Sequence, residues 1–287
     1  MTAITLNAYA KINLALDIVG KKSDGYHLLE TVMQSISLCD EITVENGIDG
    51  IEIICDDADI PSGENNLAYR AAAAFFDAAG ISPSAKISIA KKIPSQAGLG
   101  GGSADAAGTL VALNTLYGEV FSAEKLCYIG AGLGADVPFC IIGGTALCSG
   151  IGEVITPLRA IPETTILIAK GEAGISTAEA YRNYDMLTGI IHPDVAKLVS
   201  AVNDGKHFSS FCKNVFEYTV FHADIDEIKE TMCEFGASAA CMTGSGSAVF
   251  GIFNSIQTAE KCRDSLKKSK IFSELCTPVS FGTRIIR

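Results

Sequence analysis

Residues 4–18 alternate between apolar and mostly polar side chains. Ile4, Leu6, Ala8, Ala10, Ile12, Leu14, Leu16 and Ile18 are all apolar, while Thr5, Asn7, Tyr9, Lys11, Asn13 and Asp17 stand between them. A period of two throws successive side chains onto opposite faces, so this segment is a strand with one face in a core. The run is longer than an ordinary strand, which predicts a bend or break near Tyr9–Ala10. Its other face carries Lys11 and Asn13 side by side, and from this segment alone a solvated sheet face is the first expectation for them. Further strands are expected over residues 31–45 and 50–55, after a turn at Ser23-Asp24-Gly25. Tyr26 and His27 follow that turn at once. The pair suits stacking on a flat heterocycle and hydrogen bonding to it, or equally a half-buried anchor.

The second constraint is residues 94–116, PSQAGLGGGSADAAGTLVALNTL, fed by an expected strand over 85–93. Gly98, Gly100, Gly101 and Gly102 are crowded together, and then Ala106, Leu110, Leu113 and Tyr117 recur at helical spacing. Ser103 is placed to cap that helix, and Asp105 to sit in its first turn near the positive end of the dipole. Glycines let backbone amides approach an anion closely, and a helix start adds its unpaired N–H groups. The stretch therefore reads as a phosphate-binding loop, against the plainer reading of a flexible turn before an ordinary helix. It lacks the Gly-Lys-Ser/Thr of a Walker loop and the setting of a dinucleotide fingerprint.

Composition narrows the choice. The chain has 287 residues, enough for one large or two ordinary domains. A net charge of −11 argues against nucleic acid, whose phosphates need a basic face. A small phosphorylated ligand needs only a local positive field. The mean hydropathy is high, at +0.30, yet no window offers the roughly 18 apolar residues of a membrane span. Residues 137–148 come nearest and are interrupted by Pro138, Gly143 and Gly144. The first residues offer no basic region followed by an unbroken apolar core, so no signal peptide and a cytoplasmic location are expected. Ten cysteines without a C-x-x-C pair read as reduced core thiols. Four histidines without a ligand spacing argue against a protein-held zinc. Any metal should arrive with a nucleotide.

Elsewhere, helices are expected over 65–79 (Asn65 or Asn66 capping, Gly80 stopping), 122–129, 176–187, 192–203, 214–221, 225–235 and 256–268. Strands are expected over 165–169, 248–253 and 277–281. Asp136 sits between a glycine-rich turn and Val-Pro-Phe-Cys, an apolar setting with no local partner, where a carboxylate is either a turn residue or in use. The character changes over 150–162, which places a domain boundary there: 1–155 and 156–287. A second glycine-rich signal, Met242-Thr243-Gly244-Ser245-Gly246-Ser247, precedes the strand at 248–253.

Three separated strings, Ala8 to Leu14 with Asp24-Gly25-Tyr26-His27, Pro94 to Ala104, and Met242 to Ser247, together resemble the superfamily of galactokinase, homoserine kinase, mevalonate kinase and phosphomevalonate kinase. The resemblance runs over essentially the whole chain. It implies an α+β fold of two domains, the N-terminal one like domain 2 of ribosomal protein S5 and the C-terminal one a ferredoxin-like α/β sandwich. It implies a kinase using ATP and Mg²⁺, with Lys11 and Asp136 as the catalytic pair and Asn13 beside them. Pro94, Ser95, Gln96, Ala97, Gly98, Leu99, Gly100, Gly101, Gly102, Ser103 and Ala104 would wrap the ATP phosphates, with Asn65 and Leu67 on the adenine side. The Ala-Lys-Ile-Asn-Leu and Asp-Gly-Tyr-His strings with Gly-Leu-Gly-Gly-Gly-Ser resemble one branch of that superfamily. This resemblance implies a cytosine-bearing acceptor, cytidine diphosphate methylerythritol of the non-mevalonate isoprenoid route. Tyr26 and His27 would hold that ring, with Tyr181 stacking on its other face. Thr177, Gly244, Ser245, Gly246 and Ser247 would line or close over the substrate. Many relatives have Gly-Ser-Ser at the helix start, where this chain has Gly102-Ser103-Ala104. If the second hydroxyl helps to hold Mg²⁺ or a phosphate oxygen, Ser103, another group or water must do so here. A small aliphatic acceptor would waste the Tyr-His pair, and a non-catalytic relative should have lost Lys11 or Asp136.

Overall fold

In the computed structural model, which describes residues 2–172, 174–220 and 222–287, the alternating segment is one 19-residue strand, β1 (Ala3–Lys21). It pairs antiparallel with β2 (His27–Glu45), from Ala3 opposite Glu45 to Lys21 opposite His27. At about 3.3 Å per residue the two strands form an arm roughly 60 Å long. The expected break is there: the register slips between Tyr9 and Lys11, then again between Asn13 and Ala15 and between Ile18 and Gly20. Each slip bends the arm and re-aims the side chains that follow. The solvated face is not there. Lys11 is 4% and Asn13 1% exposed, because loops from two distant parts of the chain lie over them.

β3 (Gly50–Cys55), α1 (Leu67–Ala79) and β4 (Ser84–Ala90) come next. Asn66 is the residue that caps α1, accepting from Ala68 N at 2.8 Å, and Gly80 ends the helix in a left-handed conformation. Then follow α2 (Gly101–Leu116), α3 (Ala123–Ala131), α4 (Val137–Ile142), β5 (Thr145–Ser149) and β6 (Val154–Pro157). α2 is buried nearly all round, which its Ala and Gly residues permit: a Cβ on Gly108 would stand 2.7 Å from Ile42 Cδ1.

The remaining elements are β7 (Thr165–Lys170), α5 (Thr177–Tyr184), α6 (Val195–Asn203), β8 (Lys213–Asn214), α7 (Ala223–Glu234), β9 (Ala239–Met242), β10 (Val249–Phe253), α8 (Ile256–Lys268), β11 (Phe272–Cys276) and β12 (Thr283–Ile285). The helix expected over 214–221 is only a 3-10 turn, Val215–Tyr218, capped at its start by Asn214, whose Oδ1 accepts from Phe216 N at 2.9 Å. Its expected last residue, Phe221, lies outside the described residues. Residues 277–281 are not a strand either. Pro278, which has no N–H to donate, makes one isolated bridge with Ile36, and the pairing strands stand on either side, β11 and β12.

Two sheets result. The larger has the order β12-β1-β2-β4-β3, with β5 on β2, β6 on β5 and β8 on β1. The smaller is antiparallel in the order β11-β7-β10-β9, which is 4-1-3-2 by chain position, the ferredoxin-like order. The fold is thus the α+β, two-part architecture that the resemblance implied. β6 runs across residues 155 and 156, and β8 and β12 pair with β1 in the larger sheet. The far end of the arm also crosses over: Leu16, Ile18 and Leu29 pack with Leu167, Phe216 and Met242 in the second core. Burial of a side chain of this size stabilises by about 1.5–3 kcal/mol, so the arm binds the two parts together. All ten cysteines are free, and among the described residues no helix is long and apolar enough to cross a membrane.

Candidate active site

The two residues that matter most come together from distant elements. Asp136 stands at the start of α4, yet its carboxylate makes no capping bond and is left for other use. Its Oδ2 lies 3.4 Å from Lys11 Nζ on the arm. Lys11 is buried, whereas the Asp136 side chain is 31% exposed, so the carboxylate is the member open to a ligand. Lys11 Nζ also donates to Asn13 Oδ1 at 2.8 Å. Asn13 is heavily engaged: Nδ2 donates to Thr31 Oγ1 at 2.8 Å, and Oδ1 also accepts from Gly244 N at 3.0 Å. Its backbone N–H donates to Thr243 Oγ1 at 3.0 Å. Asn13 therefore ties Lys11, the arm and the second glycine-rich loop into one buried network.

The first glycine-rich loop lies over this network. Lys11 N donates to Leu99 O at 3.0 Å, and a Cβ on Gly100 would meet the Lys11 stem at 3.0 Å. Gly100, at φ 73°, is the N-cap of α2. Ser103 is not the cap and lies within the first turn, its hydroxyl facing the turn at Gly134. Asp105 lies past the first turn, beyond the point where Ala104 N already donates to Gly100 O, and it is buried instead. The two loops meet directly, with Ala248 N donating to Ala97 O at 3.1 Å and Thr243 Oγ1 3.3 Å from Gly98 O.

Between them opens a cleft of about 700 Å³, within the range of small-molecule sites. Residues 94–103 line it together with Lys11, Asn13, Asn65, Leu67 and Asp136, and Thr177, Tyr181, Gly244 and Ser245 face it from the other side. Thr177 and Ser245 share a hydrogen bond of 2.8 Å. Five of the expected residues lie off the cleft wall: Ala104 and Ser247 are buried, and Tyr26 and His27 stand at the arm tip. Gly246 is the fifth, pressed against Met242 and Ile175. Tyr26 is 61% exposed, while the His27 ring lies flat on Tyr181, with centroids 4.6 Å apart. The faces of His27 and Tyr181 are thus in contact with each other, with no base-wide gap between them.

Comparison with known proteins bears on what such a cleft is for. Residues 66–144 match the family described as GHMP kinases N terminal domain, and residues 186–271 match GHMP kinases C terminal. The chain is 42% identical over 276 residues to a 4-diphosphocytidyl-2-C-methyl-D-erythritol kinase of Clostridium acetobutylicum, covering 94% of this chain and 98% of that one. A relative of the same name from Clostridium novyi is 44% identical, over 91% and 94% of the two chains. This chain belongs to the 4-diphosphocytidyl-2-C-methyl-D-erythritol kinases, within the GHMP kinase family. A crystal structure titled 4-(cytidine 5'-diphospho)-2C-methyl-D-erythritol kinase superposes on it with a TM-score of 0.80 at 32% identity, over 96% and 98% of the two chains. A mevalonate kinase structure, 16% identical with a TM-score of 0.76, shares the fold.

The kinase carries a second charged cluster that the sequence did not announce. Lys91 Nζ lies 2.5 Å from Asp40 Oδ2 and 2.7 Å from Asp105 Oδ2, all three side chains being almost wholly buried. Asp40 also accepts from the N–H groups of Lys92 and Ile93, at 2.6 and 2.9 Å, which fixes the approach of the chain to the glycine loop. Asp105 Oδ1 has no hydrogen-bond partner among the described residues. Burial pushes the Asp105 carboxyl up to about 7, against the pull of Lys91 and with the help of Asp40. A raised acid holds its proton longer in the folded than in the unfolded state, so this group's contribution to stability falls as pH rises from about 4 to about 7. Asp105→Asn is accordingly expected to melt at a temperature closer to wild type at pH 5 and comparatively higher at pH 8. Parallel melting offsets at the two pH values would contradict this.

Thr31, Lys91 and Asp40 were missed as site residues because nothing along the chain marks them, and Asp105 and Thr243 stood out only as a helix-start and a loop residue. Lys91 follows a strand, Asp40 ends an alternating run and Thr243 hides in a hydroxyl-rich loop. Only their meeting in space gives them a role.

Proposed function

We propose that the kinase transfers the γ-phosphoryl group of ATP to the 2-hydroxyl of 4-diphosphocytidyl-2-C-methyl-D-erythritol, a step of the non-mevalonate route to isoprenoid precursors, in the cytoplasm. The observation that carries this reading is the Lys11–Asp136 pair on the floor of a cleft walled by the glycine-rich loop. Phosphoryl transfer depends chiefly on positioning and charge stabilisation. Asp136, the more exposed member, accepts the proton of the acceptor hydroxyl. Lys11, held in place by Asn13, offsets the negative charge that develops there. Backbone amides of residues 95–103, at the start of α2, cradle the phosphates, with Asn65 and Leu67 toward the adenine. Residues 1–155 thus supply nucleotide binding and catalysis, and 156–287 close over the substrate through Thr177, Gly244 and Ser245, with Gly246 and Ser247 shaping that loop from behind.

Mg²⁺ is a hard cation that prefers oxygen ligands and keeps close to the phosphates it accompanies. The residues here fit such an ion: Ser103, a hydroxyl residue in the first turn of α2, lines the cleft beside the glycine-rich loop. Ser103 would hold it with the nucleotide, where it would neutralise charge on the β- and γ-phosphates, and Asp136 is kept for the acceptor proton. Ala104, buried in α2, contributes no ligand.

At the cytosine end we assign Tyr26, His27 and Tyr181. Tyr26→Ala is expected to raise KM for the cytidine substrate several-fold, by roughly the value of one stacking contact, with a smaller change in kcat. Loss confined to kcat would argue against this role. The whole reading is tested by ADP release with cytidine diphosphate methylerythritol, mevalonate and homoserine as acceptors. Only the first should support turnover, and preference for either of the others would overturn the assignment.

A further inference from the structure

The arm tip is joined to the end of α5 by more than ring contact. His27 Nε2 lies 2.7 Å from Asp185 Oδ1, and the other oxygen of Asp185 accepts from Lys21 Nζ at 2.6 Å. Tyr181 covers one face of the imidazole, and Tyr184 meets its edge with centroids 6.1 Å apart. The ring is therefore fixed in direction as well as in place. An ionised carboxylate only accepts hydrogen bonds, and the bonds from Lys21 and then His27 hold Asp185 below the ordinary range for its type. Nε2 must then carry the proton. In a neutral imidazole the other nitrogen, Nδ1, is left as an acceptor, and the five-membered ring points it away from Asp185. Nδ1 makes no hydrogen bond among the described residues.

We propose that Asp185 is a positioning residue that locks His27 in the Nε2–H tautomer, so that Nδ1 accepts from an exocyclic amino group and the kinase prefers a cytidine to a uridine diphosphate acceptor. The inference rests on the reading above that His27 meets the base. Cytosine presents an amino donor where uracil presents a carbonyl oxygen. Against a fixed acceptor the first makes a hydrogen bond, and the second sets two lone pairs against each other. Asp185 need not touch the substrate, and Lys21 keeps its charge balanced. The same logic governs metal-site histidines, whose free nitrogen is set by the bond made at the other.

The test is steady-state kinetics with the cytidine substrate and its uridine counterpart, on wild type, Asp185→Ala, Asp185→Asn and Lys21→Met. Wild type should favour cytidine by at least about tenfold in kcat/KM. Asp185→Ala should raise KM for the cytidine substrate by about 5–10-fold and bring the cytidine-to-uridine ratio near unity. Its kcat and its KM for ATP should stay within about twofold of wild type. Asp185→Asn keeps an oxygen that can accept from Nε2–H and should retain most of the preference. Lys21→Met leaves the His27 bond in place and should retain it too. ¹⁵N NMR of the imidazole should report protonation at Nε2 in wild type and a mixture of tautomers in Asp185→Ala. An unchanged ratio in Asp185→Ala, a uniform fall in kcat for every substrate, or Nδ1 protonation in wild type would overturn the proposal. Wild type that phosphorylates neither compound would overturn the substrate reading instead, and the NMR spectrum would then decide the tautomer by itself.

Discussion

Asp136→Ala is expected to lower kcat by roughly 10²–10⁴, the span of acid–base catalysis, while ATP binding stays close to wild type. That loss corresponds to about 3–5 kcal/mol of transition-state stabilisation. The split between turnover and binding follows from where the group stands. Its carboxylate faces Lys11 at 3.4 Å and makes no cap to α4, so removing it leaves the helix start and the glycine-rich loop intact. Asp136→Asn sharpens the test, because it keeps the shape and removes the proton acceptor. Rapid-quench kinetics gives the chemical step, and titration with a non-hydrolysable ATP analogue gives the binding constant. Near-normal turnover in either variant would remove Asp136 from the mechanism and leave the cleft without a base.

Gly98→Ala is expected to lower stability by about 2–4 kcal/mol and to weaken ATP binding at the same time. Gly98 has φ 72°, a conformation that an L side chain adopts at a cost, and it packs on backbone that cannot yield easily. An added Cβ would overlap the carbonyl oxygen of Thr243 and press on Gly246 O. Gly244 is the complementary half of the contact, its own Cβ position lying 3.0 Å from Gly98 Cα and from Gly98 O. Two glycines thus allow the phosphate loop and the loop from the smaller sheet to touch backbone to backbone. Gly118→Ala serves as the control: φ is 85° there, but nothing stands within 4 Å, so only the backbone strain of about 1 kcal/mol should appear. Urea denaturation of both variants compares them directly. Equal destabilisation would mean that the loop-to-loop contact contributes nothing.

Much of this could be read before any coordinates. The alternation over residues 4–18 made a strand unavoidable, and its length required the irregularity that the structure has at Tyr9–Lys11. Gly80 and Ser122 ended and began their helices as expected, because each is a local matter of one cap and one backbone angle. The failures have a common cause. Ser103 looks like a cap by composition, yet Gly100 takes the position, since the loop must approach Lys11 more closely than any side chain would permit. Residues 277–281 alternate well enough for a strand, but the partners available at that point were invisible along the chain.

The sequence by itself determined the strand, the anion-binding loop and the residue types needed for phosphoryl transfer, because periodicity, glycine content and charge are properties of neighbours along a chain. Tertiary structure alone decided that Lys11 is buried rather than solvated, that Asp136 stands across from it, and that Asp185 holds His27. Those are contacts between segments far apart in sequence. Their energies come from desolvation and hydrogen-bond geometry, which exist only once the arm and the two glycine-rich loops have closed on one another.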